Sequence, residues 1–262
     1  MAQRRRPAGW TKGFGAALAV IVHLSPTAAD ETCPVPAIGA TLPLTQASTP
    51  HDLAAFALPF ARLPLSVLSG APPGFGRGIA WRPLLEALDP PAAAFAVLSG
   101  FGAGIFLPCS GAGVVVVFDS TTLRDPRDLV AGTLRQLFGG WAPLSLRFLD
   151  AVAVAYPGRP ILVVGHSSGG ALASYAAGRR GLPSIVFNPS RTIAATTNPG
   201  TNQLVVIVED DPIADPDVIS LRIFRPPRQV LGITLRLDVE VARPFLDLHD
   251  IETVITGLEA LL

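Results

Sequence analysis

The segment from Tyr156 to Ala177 constrains the fold more than any other part of the chain, and it reads YPGRPILVVGHSSGGALASYAA. Its apolar run Ile161–Val164 leads directly into Gly-His-Ser-Ser-Gly, and the helix-forming stretch Ala171–Ala177 follows after one more glycine. A short continuous apolar run is typical of a strand buried on both faces, as in a parallel sheet. A serine between such a strand and a helix, with glycines two residues before and after it, predicts a sharp turn that presents Ser167 at a sheet edge.

Strand-like and helix-like patterns alternate along most of the chain. The predicted strands are Ala93–Leu98, Gly104–Leu107, Val114–Phe118, Ile161–Val164, Ser184–Phe187, Leu204–Val208 and Val230–Leu237. The predicted helices are Asp128–Phe138, Leu144–Tyr156, Ala171–Ala177 and Ile251–Leu262. This alternation predicts the α/β class, with a mostly parallel central sheet and helices on both of its faces.

The part of the chain between residues 30 and 92 has a weaker pattern. Residues 30–50 are predicted to be irregular, residues 51–68 to be partly helical, and residues 70–92 to form loops, because they are rich in glycine and proline. Pro59 and Pro64 are expected to kink or end the helix. No domain boundary is visible after residue 30, so we predict one domain over 30–262, with its core over 93–262.

The first 29 residues have the pattern of a secretory signal peptide. Three arginines and Lys12 precede the apolar stretch Gly13–Leu24, and small residues lie just before Asp30. The apolar stretch is shorter than the roughly 20 residues that a membrane span needs. We therefore expect a secreted or periplasmic protein, with an uncleaved anchor or a buried helix as the alternatives. In such a compartment Cys33 and Cys109 either pair or remain as two buried thiols.

Composition excludes several classes of protein. The chain is 49% hydrophobic and 15% charged with a net charge of +0, which is the opposite of a disordered chain. There is no basic block beyond the N-terminal dozen residues, so we expect no nucleic-acid partner. Two cysteines and four histidines show no spacing typical of a metal cluster, and we expect neither a metal nor another cofactor.

A serine hydroxyl needs a base before it can act as a nucleophile. Of the four histidines, His23 lies in the predicted signal peptide, and His166 precedes Ser167 and should point into the protein. His51 and His249 remain. Because a serine on a turn of this kind is followed along the chain first by its acid and then by its histidine, His249 is the predicted base.

The acid that orients the base should lie between Ser167 and His249, at the end of a strand. The predicted strand Leu204–Val208 is followed at once by Glu209, Asp210 and Asp211. Pro212 biases the residue before it away from helical backbone, so Asp211 is the preferred acid and Asp210 the second choice. The remaining acidic residues in this interval are Asp215, Asp217, Asp238, Glu240 and Asp247. We expect Asp215 and Asp217 to be solvated.

Two N–H donors should stabilise the oxyanion that forms when a serine attacks a carbonyl carbon. The residue after the nucleophile, Ser168, is predicted to supply one through its backbone. The loop that follows Val114–Phe118 is predicted to supply the other, although a polar turn without such a role explains that loop equally well.

The chain resembles the class 3, fungal-type lipases in several segments. Tyr156–Ala177 is similar to their Gly-His-Ser-Leu-Gly-Gly-Ala-Leu-Ala region, and VVVVFDSTT is similar to a strand followed by Phe-Arg-Gly-Thr. VEDDPI is similar to their strand followed by Asp-Pro-Val, which implies Asp211 as the acid. The resemblance implies an α/β-hydrolase fold, hydrolysis of carboxylic esters by Ser167, Asp211 and His249, and Thr121 as the second oxyanion residue.

Three positions depart from that family pattern. Ser168 replaces the family's leucine, which is tolerable because the oxyanion donor expected there is a backbone N–H. Asp119 and Ser120 stand where the family has arginine and glycine, and a carboxylate near a developing oxyanion would oppose it unless paired or turned away.

The leading hypothesis for the function is a secreted serine ester hydrolase acting on small-molecule or lipid esters, in transient contact with a lipid surface. The alternatives are a non-catalytic binding protein with this fold, and an acyltransferase, thioesterase or phospholipase with the same three residues.

Overall fold

The computed structural model describes residues 36, 38–69, 77–80, 102–108, 113–118, 141–190, 202–215, 232–241 and 247–262. The helices are α1 Pro50–Ser69, α2 Trp141–Ala155, α3 Ser167–Arg180 and α4 Ile251–Glu259. The strands are β1 Arg77–Ala80, β2 Ala103–Leu107, β3 Val114–Phe118, β4 Ile161–His166, β5 Ser184–Phe187, β6 Gln203–Val208 and β7 Ile233–Leu237. The signal peptide, the predicted strand 93–98, the predicted helix 128–138, both cysteines, Asp119, Thr121 and Asp217 lie outside the described residues.

These strands form one sheet in which their order in space is their order along the chain. β1, β2 and β3 are antiparallel neighbours, whereas β3 to β7 all run parallel. The mostly parallel sheet is therefore as predicted. Because the parallel strands point the same way, the residues after β4, β5 and β6 all lie at one edge, where ligand sites of open α/β sheets are found.

Side chains of the central strands alternate between two hydrophobic cores, one on each face of the sheet. On one face, Val115 and Val117 of β3 pack in a core with α1 and α4. On the other face, Val114, Val116 and Phe118 pack in a core with α2 and α3. Strands buried on both faces explain the continuous apolar runs in the sequence. Helices on both faces of the sheet are as predicted.

Helix α1 covers the region predicted to be partly helical, and neither Pro59 nor Pro64 ends it. A proline inside a helix costs roughly 3 kcal/mol or more. The helix also buries Leu53, Phe60 and Leu63 against the sheet and α4, and each such side chain contributes about 1.5–3 kcal/mol. Together with its buried alanines and Phe56, this apolar face outweighs the cost of the two prolines.

Strand β1 lies inside the region predicted to be loops, so that prediction is wrong for Arg77–Ala80. Its sequence, RGIA, contains a glycine and no apolar alternation. It pairs antiparallel with β2, with Arg77 opposite Leu107. An edge strand of this kind is determined by the backbone groups that its neighbour offers, and a sequence pattern does not record those.

Within the residues that the structure describes, no helix is both long enough and apolar enough to span a membrane.

Candidate active site

Ser167 lies on a strained turn between a strand and a helix. β4 ends at His166, and α3 begins at the next residue, so no loop separates them. Ser167 has φ 53°, a left-handed conformation that costs a non-glycine residue of order 1–3 kcal/mol. The backbone N–H of Ser190 donates to the Ser167 carbonyl at 2.8 Å and anchors the turn from the end of β5.

The turn is tight enough to require glycine at position 165. A Cβ atom there would lie 2.3 Å from the carbonyl oxygen of Gly169, a distance that real structures do not show. Glycine at this position lets the first turn of α3 fold directly over the end of β4. The residue pattern that predicted the turn from the sequence therefore has a steric cause.

Three features together define the fold. The sheet is mostly parallel, helices cover both of its faces, and a serine lies on a strained turn at its carboxyl edge. The chain has an α/β-hydrolase fold.

The structure brings Ser167, His249 and Asp211 into one hydrogen-bonded chain. His249 Nδ1 lies 2.7 Å from Asp211 Oδ2, and His249 Nε2 lies 2.6 Å from Ser167 Oγ. A carboxylate only accepts hydrogen bonds, so Nδ1 carries the proton and its N–H donates a hydrogen bond to Asp211. Nε2 is then the acceptor for the Ser167 hydroxyl, which is the arrangement that a general base requires.

Of the three hydrogen-bonded residues, only the serine is accessible to solvent. Asp211 and His249 are 0% exposed, whereas Ser167 keeps 6% of its surface accessible. Burial of both side chains strengthens the electrostatic interaction between Asp211 and His249. Of the three side chains, that of Ser167 belongs to the one residue that keeps accessible surface.

The turn after β6 separates the two candidate acids. Asp211 is buried, and its Oδ1 accepts hydrogen bonds from the backbone N–H groups of Ile213 and Ala214 at 2.8 and 3.3 Å. Those bonds orient the carboxylate so that its Oδ2 faces His249. Asp210, in contrast, is exposed and has φ 61°. Asp211, the first choice of the two, is the residue whose carboxylate lies against His249.

Asp215 is not solvated as expected from the sequence, because it is buried beside this turn. Its Oδ2 accepts from the backbone N–H of Asp210 at 3.0 Å and pairs with Arg236 of β7 at 2.8 Å. The long arginine side chain brings a positive charge to a carboxylate that would otherwise be costly to bury. Asp215 thus stabilises the turn that carries Asp211.

His166 points into the protein as expected, and its ring contacts the loop that carries His249, residues 247–250, which we call the base loop. Its Nε2 lies 2.8 Å from the backbone carbonyl oxygen of His249. A carbonyl only accepts, so this nitrogen carries the proton. Burial, and secondarily the charge of a protonated His249, lower the pKa of His166 from 6.5 to about 3. The ring is neutral wherever the protein is folded near neutral pH.

The depressed pKa of His166 predicts a loss of stability in acid. Between pH 6.5 and 3 the unfolded chain binds a proton at this residue and the folded chain does not, so the free energy of unfolding falls as pH falls through that window. At pH 4 this histidine removes about 3 kcal/mol relative to pH 7. Urea unfolding of the wild type and of His166→Gln at both pH values measures it. The other titrating groups are common to both proteins, so an equal pH dependence in the two would contradict this prediction.

Asn188, directly after β5, was not singled out by the sequence analysis. It is fully buried, has φ 39°, and bonds both the end of β6 and the loop that carries His249. The signal that could have found it is a polar residue at the carboxyl end of a buried strand. Its two partners are distant in sequence, so no local pattern links them to it.

The two predicted oxyanion residues have different outcomes. Ser168 is buried in the first turn of α3, where backbone N–H groups and the helix dipole favour negative charge. Thr121 lies outside the described residues, as does Asp119. Within the described ranges, no group of three or more His, Cys, Asp or Glu residues could hold a metal ion.

No family model and no curated protein matches the chain. The solved structures that it resembles are fungal-type (class 3) lipases. A triacylglycerol lipase from Penicillium expansum is 15% identical with a TM-score of 0.45, and the match covers 71% of this chain and 81% of that one. A lipase from Rhizopus microsporus var. chinensis is 17% identical with a TM-score of 0.36, over 71% of this chain and 75% of that one.

A mutant form of MDLA from Penicillium cyclopium is 17% identical with a TM-score of 0.40, and the match covers 56% of this chain. The chain spans 62% of that protein, which is less than two thirds of its length. Identities and scores this low assign no activity or substrate to this chain.

Proposed function

We propose that the protein is a serine hydrolase of carboxylic esters, with Ser167 as nucleophile, His249 as general base and Asp211 as the acid that orients the base. The observation that carries this proposal is the hydrogen-bonded chain from Asp211 through His249 to Ser167 on a strained turn. A serine, a histidine and an aspartate in this order and geometry have few structural uses that would offset the strain.

The reaction follows from the proton positions. Ser167 Oγ attacks the carbonyl carbon of the ester while its proton passes to His249 Nε2, and the resulting imidazolium is stabilised by Asp211. His249 then donates that proton to the departing alcohol oxygen as the C–O bond breaks. Water attacks the acyl carbon of the acyl-serine while His249 takes its proton. The bond between the acyl carbon and Ser167 Oγ then breaks, His249 returns the proton to Oγ, and the carboxylic acid is released.

The oxyanion formed in both steps needs donors fixed in place before the reaction. The backbone N–H of Ser168 is our candidate for the first donor, because it lies in the first turn of α3 next to the nucleophile. The side chain or backbone of Thr121 is the second candidate, on the family resemblance of its loop. Asp119 is then expected to point away from the oxyanion or to be paired.

The proposal extends to the compartment, from the pattern of residues 1–29, and to the substrates, from the chemistry of the acyl-serine. The pattern of residues 1–29 supports export, and so a secreted or periplasmic enzyme. Small-molecule esters and lipid esters are both substrates for this chemistry, the latter through transient contact with a lipid surface. Acyl transfer uses the same acyl-serine and differs from hydrolysis only in the second step, in which an alcohol attacks in place of water.

Hydrolysis of p-nitrophenyl esters from acetate to palmitate tests the proposal. We expect saturable release of p-nitrophenol, with a maximum at an acyl length that separates esterase from lipase behaviour. Adding an alcohol as a second acceptor, and analysing the products, separates hydrolysis from acyl transfer. A folded protein that releases no p-nitrophenol above background at any acyl length would contradict ester hydrolysis.

A further inference from the structure

The loop that carries His249 is held at two adjacent backbone carbonyls by two buried side chains. Asn188 Nδ2 donates to the carbonyl oxygen of Leu248 at 2.9 Å, and His166 Nε2 donates to the carbonyl oxygen of His249 at 2.8 Å. The donors come from the ends of β5 and β4, which are neighbouring strands of the sheet. Two fixed carbonyls in succession determine where the loop lies and which way it faces.

Asn188 also joins this loop to the strand that precedes the acid. Its Oδ1 accepts from the backbone N–H of Val208, the last residue of β6, at 2.8 Å. Its own backbone N–H donates to the carbonyl of Val206 at 2.8 Å. One amide side chain therefore connects the strand that leads to Asp211 with the loop that holds the base.

His166 has one polar contact that explains its burial. Its Nε2–H bonds the base loop, while its Nδ1 has no hydrogen-bond partner among the described residues. The ring lies 5.3 Å from the ring of His249 and is tilted by 37° to it, so it also contacts the base from the side. Burial lowers the pKa of His166 to about 3, and a neutral ring adds no charge beside the base.

We propose that Asn188 and His166 are positioning residues that act as a clamp on the base loop and keep His249 Nε2 in hydrogen-bonding distance of Ser167 Oγ. This inference rests on the proposed function. A displacement of about 1 Å in a reacting group can cost roughly 100-fold in rate. Neither clamp residue touches the reacting atoms, so loss of the clamp should lower kcat and leave substrate binding nearly unchanged.

Paired variants separate the hydrogen bonds from the packing. Asn188→Gly keeps the positive φ and removes both side-chain bonds, whereas Asn188→Asp keeps the acceptor for Val208 and loses the donor to Leu248. His166→Met removes the donor and fills the space with an apolar chain. His166→Gln places an amide N–H near the former Nε2–H and is the conservative variant expected to rescue activity.

The matched control removes a buried hydrogen bond of α3, away from the loop that carries His249. Ser174 Oγ donates to Gln203 Oε1 at 2.8 Å, at the opposite end of β6 from Asp211. Ser174→Ala is expected to lower the melting temperature as the clamp variants do, and to leave kcat unchanged. A purely structural role for the clamp would make all of these variants behave like Ser174→Ala.

Ester hydrolysis and proton NMR of the same proteins test the clamp. We expect Asn188→Gly, Asn188→Asp and His166→Met to lower kcat by about 10- to 100-fold with KM within about twofold, and His166→Gln to recover most of the rate. We expect a downfield Nδ1–H resonance of His249 in the wild type, which should broaden or vanish in the three impaired variants and persist in Ser174→Ala.

Two results would overturn the clamp. One is wild-type kcat in the Asn188 and His166 variants, and the other is an unchanged His249 resonance in them. An inactive wild type would contradict the proposed function separately, because the NMR comparison reports on the position of His249 without turnover. The two failures are thus distinguishable.

Discussion

Ser167→Ala is expected to lower kcat for ester hydrolysis by roughly 10⁶-fold, the loss seen when the nucleophile of a serine triad is removed. Of the three hydrogen-bonded residues, Ser167 alone keeps accessible surface, and nothing in the described structure replaces its hydroxyl as nucleophile. Alanine has the same Cβ as serine, so the strained φ at this position is no worse. The variant should therefore fold with a similar melting temperature.

The measurement is kcat on the best p-nitrophenyl ester, with the melting temperature determined on the same preparation. Ser174→Ala is the matched control, because it removes another buried serine hydroxyl of α3. A Ser167→Ala protein that is folded and retains more than about a hundredth of the wild-type kcat would be incompatible with Ser167 as the nucleophile.

The second large effect is expected from Asp211→Asn, which should lower kcat by about 10⁴-fold. The backbone N–H groups of Ile213 and Ala214 both point at Oδ1, so the amide oxygen of an asparagine takes that position. Its NH₂ group then faces His249 Nδ1 as a donor. This favours the tautomer with the proton on Nε2, which cannot accept the proton of Ser167.

Asp210→Asn is the control for that variant, and it also decides between the two candidate acids. The side chain of Asp210 is exposed, and asparagine tolerates its φ of 61° well. We expect kcat within about twofold of wild type. If Asp210→Asn were the impaired variant and Asp211→Asn the active one, the assignment of the acid would be reversed.

The central part of the fold was predictable because its physical signal is local. A strand buried on both faces must be apolar throughout, and VVVVF and ILVV satisfy that at β3 and β4. The turn at Ser167 was predictable because the steric limit at Gly165 acts between residues four apart. The continuation of α1 through its two prolines and the presence of strand β1 were missed because both depend on distant partners, α4 and the sheet for the helix and β2 for the strand.

The candidate site likewise has one part that the sequence predicts and one part that it does not. Elimination among four histidines, the chain order of the residues and the strand before Asp211 were enough to name the three side chains that the structure brings together. The contacts that Asn188, His166 and Asp215 make around the site could not be predicted from the sequence. The carbonyls that Asn188 and His166 bond belong to a loop 60 and 83 residues away, and the burial of Asp215 depends on Arg236, 21 residues away.

Covalent capture by a fluorophosphonate tests the central claim, an activated Ser167, most directly, because capture needs no knowledge of the substrate. The Ser167 oxygen forms a bond to phosphorus as fluoride leaves, and mass spectrometry of the digested protein locates the adduct. We predict one adduct per folded chain, on Ser167, with none in Ser167→Ala and slow labelling in Asp211→Asn. A folded wild-type protein that stays unlabelled, or that is labelled equally in Ser167→Ala, would contradict the account.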